Sequence, residues 1–230
     1  MTIALFGSKG FVGSEILKSL KNYGYEVSEI TRENFESNLG KEFDYVINSA
    51  CPSARFKAQD NPLSDFEETV KKTARIFYET KFNKFIQISS ISARCQTNTV
   101  YGRNRLAAES IVNNGGSLIV RLGPMFGPTL DKGVLIDMLE GSKVYASRDS
   151  KYAFAPLIFV SDWISKNMDR KGVWEVGAKN SIVLGDLASK LGLNIKFEGL
   201  RNDLEMQTIE SDYPDVNQVI DFMKQRMKKK

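Results

Sequence analysis

Tyr101 and Arg105 stand four residues apart in Tyr101-Gly-Arg-Asn-Arg105-Leu-Ala-Ala-Glu109, a stretch that reads as helix. That spacing puts both side chains on one helix face. A phenol held beside a fixed cation ionises more readily, which suits a tyrosine to give or take a proton nearer neutral pH. Upstream, Phe85-Ile-Gln-Ile-Ser89-Ser90 is an apolar run ending in hydroxyls, with Ser92 just beyond. A serine at such a strand end can hold a carbonyl or alcohol oxygen beside the tyrosine. The 230 residues contain no histidine, which excludes a Ser-His-Asp triad, a Cys-His pair and any histidine-ligated metal. The two cysteines, Cys51 and Cys95, are too few for a thiolate zinc site, so no metal site is expected. Proton transfer must then use Tyr, Lys, Asp, Glu, Ser or water.

A second chemistry-bearing stretch opens the chain. Thr2-Ile-Ala-Leu-Phe6 reads as a buried strand, Gly7-Ser8-Lys9-Gly10-Phe11-Val12-Gly13 as a turn, and Ser14 to Leu20 as a helix with Ile16, Leu17 and Leu20 on one face. Strand, glycine turn and helix in that order form the entry to a dinucleotide site. Gly7 permits the tight turn, Gly10 lets a pyrophosphate approach the backbone, and Gly13 lets the helix lie close on the sheet. The helix N-terminus offers unpaired N–H groups to the phosphates.

Elements further along the chain must position the rest of this site. Tyr25 to Ile30 is the expected second strand, followed by Arg32. Arg32 can fork onto a phosphate, with Lys9 as a second cation, so NADP is expected and NAD is the second choice, in which Glu29 or Glu33 would hold the ribose. Asp44 to Asn48 is the third strand, and Asn48, Ser49, Ala50 and Cys51 should border the cofactor, because ligands of open α/β sheets sit outside the carboxyl ends of the strands. Pro62 to Phe82 reads as one long helix, capped by Asp60 or Asn61 and buried along Phe66, Val70, Thr73 and Phe77. Ser117 to Leu122 is the fifth strand, and the loop Gly123-Pro124-Met125-Phe-Gly-Pro128 should pass near the nicotinamide.

The pattern predicts an α/β fold, a doubly wound parallel sheet of Rossmann type over residues 1–128. A small α/β substrate lobe over 129–230 is expected, partly built on the same sheet. Within it Val134 to Leu139, Leu184 to Leu191 and Val216 to Met227 read as helices. Lys143 to Ala146, Gly172 to Val176 and Asn194 to Phe197 read as strands. A cleft between cofactor loops and lobe would receive a small-molecule substrate. Hydrophobic content of 42%, charged content of 26% and a net charge of +4 are those of a soluble globular protein. The basic residues are scattered, apart from the Lys228-Lys229-Lys230 tail, so no nucleic-acid partner is expected. No apolar run approaches membrane-spanning length, the short N-terminal one does not read as a signal peptide, and two separated cysteines fit a reducing cytoplasm.

Taken together and in order, these motifs resemble the extended short-chain dehydrogenase/reductase family, the NAD-dependent epimerase/dehydratase group that works largely on nucleotide sugars. Gly7-x-x-Gly10-x-x-Gly13 resembles its glycine motif and Ser89-Ser90 its serine-ended fourth strand. Tyr101 to Glu109 resembles its YxxxK helix, with Arg105 in place of the lysine. Arg121 to Pro128 is similar to its RPxxxYGP-like loop, and Phe159-Val-Ser-Asp162 and Trp174-Glu-Val-Gly177 are similar to its late signatures. The resemblance implies Tyr101 as acid/base, Ser90 as substrate-polarising hydroxyl with Ser92 second, and Arg105 on the cofactor ribose. It implies a keto-reductase or epimerase of a nucleotide-sugar-like substrate, and a homodimer. Arg105, a short segment between Ser90 and Tyr101, and Thr69 where the family often has asparagine leave a second reading, a non-catalytic NADP-binding sensor or scaffold.

Overall fold

The structure, a computed structural model, describes residues 1–228, so Lys229 and Lys230 of the basic tail lie outside the described residues. The chain divides into two compact units. The first comprises Met1–Leu122 with Ser161–Trp174; the second comprises Gly123–Val160 and the residues from Glu175 onward. The division therefore falls at Leu122/Gly123, where the sequence suggested 128/129, and a late segment returns to the first unit.

The first unit is built on strands β1 (Thr2–Phe6), β2 (Glu26–Ile30), β3 (Glu42–Asn48), β4 (Lys81–Ser90) and β5 (Leu118–Leu122), all paired in parallel. Parallel strands are covered on both faces and read as continuous apolar runs; Ile3, Ala4, Leu5 and Phe6 are all fully buried. Helix α1 (Phe11–Asn22) buries Gly13, Ile16, Ser19 and Leu20 and stops at Gly24, whose φ of +78° suits the left-handed cap. After a short α2 (Arg55–Asp60), which the sequence did not suggest, Asn61 caps the next helix by accepting from the Ser64 N–H at 3.1 Å. That helix is not the single run to Phe82. It comprises α3 (Pro62–Phe66), a π-helical turn over Glu67–Lys71, and α4 (Lys72–Glu79). It ends there because Gly40 and Lys41 capture the chain in backbone hydrogen bonds, to the Glu79 carbonyl and from the Lys81 N–H. Phe82 thus joins β4, where it packs 5.4 Å from Phe77 and 5.1 Å from Phe85.

Beyond β4 come α5 (Ser92–Cys95) and α6 (Val100–Val112), the latter capped by Thr99, whose hydroxyl accepts from the Gly102 N–H. The second unit contains β6 (Met125–Phe126), α7 (Val134–Glu140), β7 (Lys151–Tyr152) and β8 (Ala155–Pro156). Helix α8 (Leu157–Lys166) and strand β9 (Gly172–Val176) follow, and then β10 (Ile182–Val183), α9 (Leu184–Lys190), β11 (Asp203–Leu204) and α10 (Gln218–Met227). The main sheet has the order β2-β1-β3-β4-β5-β9, and the small sheets are β10-β7-β11 and β6-β8. The runs 143–146 and 194–197, expected as strands, form only one parallel bridge, Val144 to Phe197. The turns at Gly192 and Gly199, with φ of +66° and +119°, leave no length for a ladder. The order β2-β1-β3 reverses the winding beside β1, and the carboxyl ends of β1 and β3 meet there, Phe6 opposite Asn48. No helix among the described residues is long and apolar enough to cross a membrane.

Candidate active site

The loops after β1 and β3 close on each other at that reversal. The Ser49 N–H donates to the Phe6 carbonyl at 2.9 Å, and the Gly7 N–H to the Ile30 carbonyl at 2.9 Å. Gly7 has φ +82°, and a β-carbon on it would lie 2.7 Å from the Ser49 carbonyl oxygen. A β-carbon at Gly13 would lie 2.1 Å from the Gly7 oxygen, so the start of α1 can sit on the loop only without one. A β-carbon at Gly10 would meet only the Gly7 oxygen, at 3.3 Å, which leaves the backbone there open to approach. The N-terminus of α1 has no side-chain cap and no acidic residue in its first turn. Ser8 is buried and its Oγ has no partner. Uncapped N–H groups, an open glycine and an orphaned hydroxyl on one loop, Ser8 to Gly13 with Phe11 and Val12, fit a pyrophosphate.

At the end of β2 the charges are largely paired. Lys9 Nζ lies 3.2 Å from Glu33 Oε2, and Lys9, followed by the Thr31 hydroxyl, holds the Glu33 carboxyl below its usual range. Glu29 pairs with Lys21 at 2.7 Å. Arg32 is exposed and, among the described residues, pairs with none. Asn48, expected to face a cofactor, spends its side chain inside the protein. Its Nδ2 donates to Thr73 Oγ1 and Gln87 Oε1, both at 3.0 Å, and its Oδ1 accepts from the Ala50 N–H at 3.1 Å. It shapes the Ser49–Cys51 turn, and the Cys51 thiol sits 3.7 Å from Gln87 Nε2.

Helix α6 buries an unusually polar face: Tyr101, Arg105 and Glu109, two turns in steps of four, beside Ala108 and Val112. The Arg105 guanidinium stands 4.9 Å from the centre of the Tyr101 ring, and that of Arg55 stands 5.8 Å from it. Arg105 is 5% exposed. Its Nη2 donates to the Pro52 carbonyl, while its Nε has no partner. Burial alone would lower the Arg105 pKa, but Tyr101, Cys51 and Asp65 around it hold it raised, so the cation persists. The Ser90 hydroxyl donates to Ser92 Oγ at 3.2 Å, and Ser92 donates to Gln96 Oε1 at 2.8 Å. The Ser90 Oγ also accepts from the Ser92 N–H at 3.2 Å, so the two serines are tied in both directions. Gly102 makes the arrangement possible, because a β-carbon there would lie 2.1 Å from the Gln96 carbonyl oxygen and 2.7 Å from that of Ser92.

Gly123, Pro124 and Met125 belong to the second unit. There the Gly123 N–H donates to the Val176 carbonyl and the Pro124 carbonyl accepts from Ala155, both at 3.0 Å, and Met125 pairs with Ala155 in the β6-β8 ladder. Several residues escaped the sequence reading. The carbonyl of Pro52, the amide of Gln96 and the carboxyl of Asp65, which accepts from Asn104 at 2.8 Å, have no motif of their own. Glu109 and Arg121 stand in the sequence only as parts of longer motifs, yet the buried Glu109 and the half-buried Arg121 form an ion pair at 2.6 Å.

The family model described as NAD dependent epimerase/dehydratase family matches residues 3–143. No curated protein matches the chain. Among solved structures, the fold is shared with a UDP-N-acetylglucosamine 4-epimerase from Methanobrevibacter ruminantium M1 in complex with UDP-N-acetylmuramic acid. Identity there is 15% over 99% of this chain and 97% of that one, with a TM-score of 0.79. It is also shared with the NAD-dependent NDP-hexosamine 5,6-dehydratase TunA, involved in tunicamycin biosynthesis, at 13% identity over 100% and 98% and a TM-score of 0.78. A third is the Bacillus cereus UDP-glucuronic acid 4-epimerase in complex with UDP-glucuronic acid and NAD, at 18% identity over 98% and 100% and a TM-score of 0.70. With the family model matching more than half of its length, and the parallel sheet and glycine loop just described, the chain belongs to the NAD-dependent epimerase/dehydratase family of enzymes.

Proposed function

We propose that this enzyme is a nicotinamide-dependent epimerase or keto-reductase of a nucleotide sugar, with NADP as its preferred dinucleotide. One observation carries the reading: the buried Tyr101–Arg105 pair with an unpaired Arg105 Nε, in the same unit as the uncapped glycine loop. The glycine loop Ser8–Gly13 would hold the pyrophosphate, Arg105 the ribose nearer the reacting end, and the Ser49–Cys51 turn the face between them. When bound, the dinucleotide would supply hydride transfer to and from a sugar carbon. Tyr101 takes the proton of the sugar hydroxyl as the carbonyl forms and gives it back on reduction. Ser90 would turn its hydroxyl from Ser92 to donate to the sugar oxygen, as alcohol or as carbonyl, and hold it against Tyr101. Arg105, its guanidinium 4.9 Å from the ring centre, holds Tyr101 in place for that exchange.

Arg32 supports NADP, because it is left without a partner where a 2′-phosphate would sit. The Lys9–Glu33 pair and the NAD named for the Bacillus cereus structure support NAD instead. UDP-sugars, named in two of the similar structures, are the first substrates to try. A cytoplasmic homodimer completes the reading. Calorimetric titration with NADPH and with NADH tests the cofactor. Tighter NADPH binding supports Arg32, tighter NADH binding moves the ribose contact to Glu33, and binding of neither overturns the proposal. Incubation of the loaded protein with UDP-sugars, followed by sugar analysis, tests the chemistry. The bond from Arg105 to the Pro52 carbonyl favours one second reading, a non-catalytic dinucleotide sensor, which predicts binding without turnover.

A further inference from the structure

The polar stripe of α6 continues past the site. Glu109 is 3% exposed and lies one turn beyond Arg105. Its Oε1 accepts from Ser89 Oγ at 2.5 Å and from Arg121 Nε at 3.0 Å, and its Oε2 accepts from Arg121 Nη2 at 2.6 Å. Ser89 and Arg121 face each other across the β4–β5 ladder. One carboxylate on the tyrosine helix therefore holds two adjacent strands, and one of its partners is the residue immediately before Ser90.

A buried ion pair is poor evidence for stability. Removing two charges from water costs about what their attraction returns, and well-packed apolar side chains often serve as well. What such a pair does impose is geometry: a forked guanidinium and a carboxylate meet in few arrangements. We propose that Ser89, Glu109 and Arg121 are positioning residues, which fix the register of α6 against β4 and β5. In doing so they set Tyr101 and Arg105 relative to Ser90. They touch neither substrate nor cofactor; they act through the helix. The proposal rests on the dinucleotide-binding function proposed above.

The test replaces the cluster with apolar groups in the full-length protein: Ser89→Ala, Glu109→Met and Arg121→Leu together. NADPH is the probe, with its affinity read from nicotinamide fluorescence and with thermal unfolding followed in parallel. The expected result is a melting temperature at or near that of the wild type with NADPH affinity reduced about tenfold, the size of one lost charged hydrogen bond. The conservative variant Glu109→Gln, which keeps an acceptor for Ser89, should restore affinity to within about twofold of the wild type. A triple variant that folds and binds NADPH as the wild type does would overturn the positioning role alone. If the triple variant fails to fold, Glu109→Gln and Ser89→Ala decide singly: unchanged affinity in both overturns the proposal, and weaker binding in Ser89→Ala than in Glu109→Gln supports it. A wild type that binds neither NADH nor NADPH overturns the proposed function, and the positioning role with it.

Discussion

The two edges of the main sheet treat polar groups in opposite ways. At the amino edge, Met1, Asp44, Tyr45, Asn83, Lys84, Asp169 and Lys171 line a cavity of about 450 Å³. Its groups serve one another. Asp44 accepts from the Thr2 N–H at 2.7 Å and from Asn83 at 3.3 Å, Tyr45 donates to Asp169 at 2.5 Å, and Lys84 donates to the Gly116 carbonyl at 2.7 Å. At the carboxyl edge, Ser8 Oγ and Arg105 Nε are buried with no partner, and Thr69 Oγ1 shares that state in the π-helical turn. A hollow whose lining is already hydrogen-bonded needs nothing, whereas buried groups left unpaired cost free energy until something meets them. The orphaned atoms, more than the hollow, mark the edge at which the dinucleotide is proposed to bind.

Four perturbations would break or sharpen this contrast. The largest effect is expected from Tyr101→Phe, which should lower turnover of an accepted nucleotide sugar by about 10²–10⁴-fold. NADPH or NADH should still bind, as calorimetry would show; unchanged turnover would remove Tyr101 from the chemistry. Next is Gly102→Ala. Its β-carbon would press on the Gln96 carbonyl, and overpacking of this kind costs about 1–3 kcal/mol in denaturant unfolding. The displaced helix start should also weaken catalysis in the folded fraction.

Thr69→Val deletes a buried hydroxyl that has no partner. It should therefore stabilise the ligand-free protein, by about 1 kcal/mol, visible as a raised melting temperature. A loss of stability would mean that the hydroxyl is satisfied after all. The smallest effect belongs to the amino edge. Asp169, then burial, push the Tyr45 hydroxyl up to about 12. A raised value means the folded protein keeps the proton longer, so this contribution is complete below about pH 10, the ordinary phenol value, and fades as pH rises towards 12. Tyr45→Phe should flatten that part of the stability–pH curve and leave dinucleotide affinity unchanged. A change in affinity would show that the two edges are not independent.

The glycine loop was legible in the sequence because its requirement is on the backbone. Gly7 and Gly13 are needed for the close approaches they make, and no other residue type satisfies them. Tyr101 and Arg105 were legible for a similar reason, since a spacing of four fixes a shared face. Most strands and helices followed from apolar periodicity. The π-helical turn at Glu67–Lys71 did not, because an i+5 step leaves the buried positions Val70 and Thr73 nearly in phase with an ordinary helix. The partners of Arg105 were invisible as well. Pro52 contributes a carbonyl, which every residue has, and only the folded chain brings it to the helix. Lys9 was read as a free cation because its partner, Glu33, comes from a different strand end. Pairing across sequence distance is what local pattern cannot carry.

The return of Ser161–Trp174 to the first unit has a consequence for how the protein is made. Asp162 accepts from Tyr23 at 2.6 Å, Asp169 from Tyr45, and the Gly172 N–H donates to the Ser117 carbonyl. All of these ties await a segment that leaves the ribosome some forty residues after β5 is complete. A nascent chain stalled after Leu122 holds the glycine loop, Tyr101 and Arg105 but lacks these ties along α1, β3 and β5. The first unit can therefore be completed only once the entire stretch from Gly123 to Val160 has been synthesised.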